Sequence, residues 1–336
     1  MRSRSISVFL AMAATALGWQ GVANAVELPP GETWKIEALP PALQAKVDEQ
    51  DALWAKAFPG ADYRGFFARV KIWPPDMKTI RVCFFGGSPE TRATIARYAN
   101  GWTKQQVRFT FDFGDPQSPR SCDVNDKEPS HIRVGFADHG YWSAVGQDAM
   151  ILAGQAEVSL NLEDFDKKNI DHPYYEGVVL HEFGHALGLE HEHQNPLSNC
   201  EDEFDWEKIY EELAGPPNNW DKGIVDFNMR KLNAGNDLTP STFDVNSIML
   251  YSFKVEFYKK GKDSPCYTDY NDHLSEGDIQ TIETMYPQED LIGVSAYANL
   301  RAVMSGKTAE TDRAAAPVDP TVRDSLAKYL PEMTAQ

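Results

Sequence analysis

The sequence predicts an α+β fold in which helices cover a mixed β-sheet. The first half of the chain presents β-like and helical patterns in the order β-α-β-β-β-α, an order that favours mixed strand directions. Beyond residue 191 the pattern becomes irregular and predicts only short helices. We therefore expect an N-terminal subdomain with a mixed twisted sheet and two long helices, followed by an irregular C-terminal subdomain with a last helix.

Residue type and turn signals define the individual elements. Residues 79–85 are a strand-like run closed by two glycines. Ser88 followed by Pro89 is a typical helix start, and we expect that helix to reach Thr103. The other predicted elements are strands at residues 107–113, 131–136 and 156–162 and helices at residues 43–58, 174–187, 205–213, 219–232 and 275–286.

The first 25 residues predict a signal peptide. Arg2 and Arg4 precede the apolar residues 8–19, which are too few for the roughly 20 residues that span a bilayer. Ala23 and Ala25 then fit an A-x-A cleavage pattern. We expect an exported, soluble protein, extracellular or periplasmic, with no insertion into a membrane.

Composition and charge exclude several classes of protein. The 336 residues include 50 acidic and 32 basic side chains, for a formal net charge of −18, with 42% hydrophobic residues. This profile is that of a globular protein and excludes a fibrous repeat. Binding to nucleic acid draws on clustered Lys and Arg, and no basic run here exceeds a pair. We expect no nucleic-acid partner, and a monomer.

The four cysteines predict two disulfides, because an even number in an exported chain is typical of disulfide bonding. Three pairings are possible. We favour Cys83–Cys122 and Cys200–Cys266, since each pair then stays on one side of the histidine motif at residues 181–191. No C-x-x-C pattern is present, which disfavours a metal bound by cysteine.

That histidine motif carries the chemistry. His181 and His185 are four residues apart and share one helix face, where two imidazoles bind one Zn²⁺, and Glu182 lies beside them. A straight helix would carry His191 roughly 80° away from that face. Gly188 resolves the difficulty, since glycine accepts the left-handed backbone that turns a chain back. The spacing therefore predicts one zinc per chain, bound by the three histidines.

Other readings of these residues remain open. Three histidine ligands leave a fourth coordination position, which is typical of catalytic rather than structural zinc. His193 is a competing ligand that we rank below His191, whose spacing suits the glycine turn. The acidic residues 201–203 are a conceivable calcium site, but we prefer to interpret them as solvated charge.

A second motif, Ser-Ile-Met-Leu-Tyr at residues 247–251, gives the sequence a family resemblance. The extended histidine motif followed by Ser-x-Met-x-Tyr resembles the metzincin zinc endopeptidases, with their Met-turn beneath the metal. Glu192, directly after the third histidine, makes the chain similar to the astacin family (peptidase family M12A) over roughly residues 73–287. Leu250 stands where astacins commonly have His, so we expect a divergent, bacterial-type branch.

The resemblance implies a metzincin-like zincin fold and roles for individual residues. Glu182 would be the general base, Tyr251 would stabilise the oxyanion, and Met249 would be structural. The strand at residues 156–162 is a candidate edge for pairing with an extended substrate. Astacin propeptides commonly place an Asp on the zinc, and Asp62 is the candidate latency ligand.

We accordingly divide the chain into four parts. These are a signal peptide (1–25), a propeptide or permanent N-terminal extension (26–72), a catalytic domain (73–288) and a partly mobile C-terminal extension (289–336). The predicted function is that of a secreted zinc endopeptidase acting on proteins or peptides. The alternatives are a catalytically silent zinc-containing adhesion protein and a zinc amidase with a non-protein substrate.

Overall fold

The computed structural model describes residues 28–30, 32, 36–57, 71–151, 153–216, 218–232 and 242–288. The predicted signal peptide and the predicted C-terminal extension lie outside these residues. The described part combines a mixed sheet with several helices, so the predicted α+β class is confirmed. Among the described residues, no helix has the length and apolar character needed to cross a bilayer.

The elements are numbered in chain order. The helices are α1 (Pro41–Ala57), α2 (Pro89–Ala99), α3 (Asp148–Ile151), α4 (Pro173–Ala186), α5 (Cys200–Glu203), α6 (Trp206–Ala214), α7 (Lys222–Met229) and α8 (Glu276–Met285). The strands are β1 (Thr79–Phe84), β2 (Thr110–Asp112), β3 (Gly114–Asp115), β4 (Ser118–Pro119), β5 (Ile132–Gly135), β6 (Tyr141–Ser143) and β7 (Leu160–Leu162). Single 3₁₀ turns lie at Trp102–Lys104, Glu192–Gln194, Val255–Phe257 and Gly261–Asp263.

Five of the strands form one mixed sheet in the order β2-β1-β5-β7-β6. All neighbours are parallel except β6, which pairs antiparallel with β7. The prediction that residues 156–162 form the edge is therefore wrong, because β7 has a partner on both sides. The edge strand next to β7 is β6, which could not be identified from the sequence, since three residues after Gly140 are too few to show an alternating pattern.

Helix α2 begins as predicted and ends earlier than predicted. The Ser88 side chain accepts the Thr91 N–H and Pro89 occupies the first turn. The helix stops at Ala99 rather than Thr103, and the next residues turn Trp102 beneath helix α4, where its Nε1–H donates to the Leu180 carbonyl at 2.9 Å. The indole is fully buried with its N–H paired, which stabilises the turn at the end of the helix.

Two separate hydrophobic clusters build the two subdomains. The larger one packs the sheet against helices α2 and α4 and includes Met249 and Ile282 from the second half of the chain. The smaller one lies in the C-terminal subdomain and contains the disulfide Cys200–Cys266. The other disulfide, Cys83–Cys122, ties strand β1 to a following loop, so each disulfide stays on its own side of the histidine motif. In the chain-entropy model, closing loops of 39 and 66 residues stabilises the fold by about 4 kcal/mol each.

The C-terminal end of helix α4 is held by groups from distant parts of the chain. The indole N–H of Trp73 donates to the Ala186 carbonyl at 2.9 Å, and the hydroxyl of Tyr286 donates to the Leu187 carbonyl at 2.6 Å. Both side chains are buried. These bonds satisfy carbonyls that a helix end leaves without an internal partner, and they fix where the chain leaves the helix.

We predict that His131 makes the fold sensitive to acid. Its half-buried ring accepts the Arg81 backbone N–H, and burial, followed by the charges of Arg81 and Arg133, lowers the pKa of His131 to about 4. The unfolded chain takes up this proton below about pH 6.5 while the folded chain does not, so the free energy of unfolding falls between about pH 6.5 and 4. Between pH 7 and 5, the free energy of unfolding measured by urea denaturation should fall less in His131→Asn than in the wild type, by up to about 2 kcal/mol. His273→Asn, at an exposed imidazole, is the control. If the free energy of unfolding falls equally in the wild type and in His131→Asn as the pH is lowered, the prediction is contradicted.

Candidate metal centre and active site

Helix α4 and the turn that follows it bring three histidines together. His181 and His185 lie one turn apart on the helix, and their rings are in edge contact. Gly188 has φ +97°, and its N–H and that of Leu189 close onto carbonyls of the last helical turn. The chain therefore reverses where the sequence predicted, and His191 returns to the face that carries the other two imidazoles.

The three imidazoles converge through their Nε2 atoms. The Nε2 atom of His185 lies 3.2 Å from that of His181 and 3.0 Å from that of His191. Ligands that bind tetrahedral zinc at 2.0–2.1 Å are about 3.3 Å apart, so this spacing suits a metal. Together with a carboxylate oxygen of Glu37, the three nitrogens form a group whose ligand atoms all lie within 4.8 Å of one another.

Hydrogen bonds on the far side of two rings fix which nitrogen is free to bind. The Nδ1 atom of His181 lies 2.7 Å from the Ile248 carbonyl, and that of His185 lies 2.7 Å from the Leu189 carbonyl. A carbonyl oxygen only accepts, so each Nδ1 carries a hydrogen, and each neutral ring presents an Nε2 lone pair. Two lone pairs that face each other repel unless a cation lies between them, so the donor set fits zinc.

A carboxylate from the N-terminal region lies at the open side of the three imidazoles. The Oε2 atom of Glu37 is 3.2 Å from the Nε2 atoms of His185 and His191 and 3.5 Å from that of His181. The hydroxyl of Tyr251 donates to the same oxygen at 2.9 Å, and the Ser143 N–H of strand β6 donates to Oε1 at 3.3 Å. Sequence analysis did not identify Glu37, because a single acid between Ile and Ala carries no distinctive signal.

Burial sets the electrostatics of the two carboxylates. For Glu37, burial raises the pKa, but the three imidazoles around its Oε2 atom, His185 above all, outweigh burial and hold the pKa well below its ordinary value. For Glu182, burial and then the negative charge of Glu37 raise the pKa well above its ordinary value. The Glu182 side chain is 3% exposed, and its Oε2 atom has no hydrogen-bond partner among the described residues. Glu182 is therefore a desolvated carboxyl group directly beside the histidines.

The Met-turn lies under helix α4 and is fixed by the last helix. The Ser247 hydroxyl donates to Oδ1 of Asp278 at 2.6 Å, and the Ile248 N–H donates to Oδ2 at 2.8 Å. Asp278 also completes a capping box with Ser275 at the start of helix α8. Met249 is buried, and its Sδ atom would lie 2.5 Å from a Cβ on Gly184. From the sequence, Asp278 is only a charge that suits a helix start, and nothing in its local sequence indicates the contact with the Met-turn.

Two other candidates from the sequence, His193 and the acidic run at residues 201–203, do not join the site. The Nε2–H of buried His193 donates to the Asn228 carbonyl at 3.0 Å, and this histidine is not in the metal-binding group. In the acidic run at residues 201–203, Glu201 accepts from Arg230, and Glu203 pairs with Lys260. Asp62, the predicted latency ligand, lies outside the described residues.

Comparison with known families identifies the chain. A family model described as Astacin (Peptidase family M12A) matches residues 103–287, more than half of the chain. The chain belongs to the astacin family. A solved structure of myroilysin is 33% identical with a TM-score of 0.55, and the match covers 67% of this chain and 98% of that one. Comparison with curated proteins gives no match.

Two further structures extend the comparison. A crystal structure of myroilysin is 29% identical with a TM-score of 0.44, covering 76% of this chain and 100% of that one. High choriolytic enzyme 1, a hatching-enzyme zinc protease from the medaka fish Oryzias latipes, is 19% identical with a TM-score of 0.40, covering 69% of this chain and 95% of that one.

Family membership makes this chain a zinc metalloendopeptidase whose substrates are peptides or proteins. The residues matched by the astacin model include the histidine motif and the Met-turn. The predicted family and enzyme class are therefore confirmed.

The close approach of Met249 to helix α4 leads to a prediction about Gly184. A methyl group there would overlap Met249 Sδ and lie 3.1 Å from the Trp102 ring, so Gly184→Ala should displace the Met-turn. Overpacking of this kind costs about 1–3 kcal/mol. We expect a lower melting temperature and weaker zinc binding, measured by calorimetry. Gly154→Ala, where the nearest atom to an added Cβ is the Glu157 Oε2 atom at 3.5 Å, is the matched control. Identical behaviour of the two variants would show that the contact is unimportant.

Proposed function

We propose that this astacin-family chain is a secreted endopeptidase in which His181, His185 and His191 bind one Zn²⁺. Glu182 is its general base, and Tyr251 stabilises the oxyanion. The observation that carries the proposal is the convergence of three Nε2 atoms, two of them with their Nδ1–H groups committed to backbone carbonyls. No other group of this kind is found in the described residues.

Glu182 has the environment that a general base needs. When bound, zinc supplies Lewis-acid polarisation of the scissile carbonyl and lowers the pKa of a bound water toward about 7. A buried carboxylate is more basic than a solvated one, and Glu182 has one oxygen without a partner among the described residues. It takes the proton from the attacking water and delivers it to the leaving amine.

Tyr251 has the position that an oxyanion donor needs. Its ring lies 4.5 Å from the His191 ring, centroid to centroid. Burial, followed by the charge of Glu37, raises its pKa well above the ordinary value, so the hydroxyl keeps its proton. That hydroxyl donates to the carboxylate oxygen lying among the imidazoles, and the same donation would stabilise negative charge on a substrate oxygen there.

The arrangement described here is a latent form, with Glu37 as the inhibitory carboxylate. The Oε2 atom of Glu37 occupies the position that substrate or water needs. The Tyr251 hydroxyl donates to this oxygen and accepts the backbone N–H of Glu37. Residues 26–72 are accordingly a propeptide that is removed on activation. Glu37 takes the role that the sequence analysis gave to Asp62.

Secretion follows from two features taken together. Residues 1–25 have the three parts of a signal peptide. All four cysteines are joined in disulfides, which form and persist in oxidising compartments.

The role of Glu182 is tested by Glu182→Gln in the secreted, processed enzyme. The amide keeps the shape but does not accept the proton, so casein hydrolysis should fall by roughly a hundredfold or more. Zinc content by atomic emission should stay near one per chain. Glu176→Gln, the same change on the same helix, is the control and should retain activity. Retention of wild-type activity by Glu182→Gln would refute the assignment of the base.

The inhibitory role of Glu37 is tested by Glu37→Ala in the full-length chain. Removing the carboxylate opens the centre, so the unprocessed variant should cleave a fluorogenic peptide at least tenfold faster than the unprocessed wild type. Glu49→Ala, an exposed acid on helix α1, is the matched control and should stay latent. A Glu37→Ala protein that binds zinc yet is as inactive as wild type would contradict the assignment.

A further inference from the structure

A second acid of the N-terminal region is bound by donors from the protease domain. Glu32 Oε1 accepts from Lys168 Nζ at 2.5 Å and from the Tyr175 hydroxyl at 3.2 Å, and Oε2 accepts from the Tyr141 hydroxyl at 3.0 Å. The Glu32 side chain is 5% exposed. A nearly buried carboxylate thus meets one cation and two hydroxyl groups, which is the environment that makes charge-assisted hydrogen bonds strong.

We call Tyr141, Lys168 and Tyr175 the cradle. All three lie within the residues matched by the astacin model, and they come from three places in the fold: strand β6, the loop before helix α4, and helix α4 itself. Burial, followed by the charge of Glu32, raises the pKa of Tyr175 to about 12, so its hydroxyl stays a donor. The cradle is therefore part of the protease domain and offers donors suited to a carboxylate.

The cradle and the metal centre are connected by the same two elements, strand β6 and helix α4. Tyr141 is two residues before Ser143 on edge strand β6, about 7 Å along the strand. Tyr175 is six residues before His181 on helix α4, about 9 Å along the helix. An extended peptide advances about 3.3 Å per residue, so the cradle is two to three residues from the metal centre.

The N-terminal residues that the structure describes contact both subdomains. Leu28 and Leu39 pack against the larger hydrophobic cluster, and Ile36 and Ala38 pack against the smaller one. Glu37 contacts the Ser143 N–H of the edge strand. Glu32 and Glu37 therefore bind where a substrate chain would lie between the two subdomains.

We propose that the cradle is a substrate subsite that selects an Asp or Glu side chain two or three residues from the scissile bond, and that Glu32 blocks it by imitating such a residue. The inference rests on the proposed function, because the scissile bond is defined relative to the three histidines. Lys168 is the main specificity determinant, since it supplies the charge.

The test uses the secreted, processed enzyme, in which removal of residues 26–72 leaves both the metal centre and the cradle open to substrate. Mass spectrometry of a digested peptide library first identifies the positions at which acidic residues are enriched around cleaved bonds. A pair of fluorogenic peptides with Glu or Gln at the enriched position then gives a ratio of kcat/KM. We expect a ratio of roughly ten to a hundred, because bonds to a charged group discriminate by that much.

Variants of Lys168 decide whether the cradle is responsible. Lys168→Met should bring the Glu-to-Gln ratio close to one, and Lys168→Glu should favour Lys or Arg at the same position. Lys167→Met is the matched control, because that exposed neighbour pairs with Asp164, and it should keep the wild-type ratio. The proposed subsite is refuted if acidic residues remain enriched around cleaved bonds in both Lys168 variants. It is also refuted if the enzyme cleaves the Gln peptide but shows no enrichment of acidic residues. A zinc-loaded enzyme that cleaves neither peptide overturns the proposed function itself.

Discussion

The convergence of three imidazole nitrogens on one point is the constraint on which the rest of the structure depends. Two Nε2 lone pairs 3.2 Å apart repel each other, and backbone carbonyls prevent those two rings from turning their N–H groups inward. Such an arrangement is stable only when a cation lies among the nitrogens. Much of the surrounding fold serves to hold it: the left-handed Gly188 returns His191, and Asp278 fixes the turn whose Ile248 carbonyl orients His181.

The same centre explains how the N-terminal region is used. Two carboxylates bind groups that, in our proposal, belong to the substrate: Glu37 meets the imidazoles, Tyr251 and the edge strand, while Glu32 meets a lysine and two tyrosines. In our proposal, the N-terminal region inhibits the enzyme without a separate docking surface, because Glu32 and Glu37 use the same groups that bind the substrate. In this proposal, removal of residues 26–72 would open the substrate path with the catalytic groups and the acidic subsite already in position.

The sequence could predict what depends on local spacing. The i, i+4 histidines, the turn at Gly188 and the Ser88 cap follow from backbone geometry within a few residues, and the structure has all three features. Long-range placement could not be predicted. Edge strand β6 is too short to show a pattern, and Glu37 reaches His191 across more than 150 residues. The choice of Asp62 followed a family motif and stays a prediction, whereas the position of Glu37 at the imidazoles depends on tertiary packing.

Anomalous diffraction at the zinc absorption edge, from crystals of the full-length chain, tests the proposed metal centre most directly. We expect a single peak about 2.0–2.1 Å from the Nε2 atoms of His181, His185 and His191, with a Glu37 carboxylate oxygen as the fourth ligand. A zinc peak held by other side chains, or a Glu37 carboxylate remote from the metal, would contradict the metal centre and the latency proposed here.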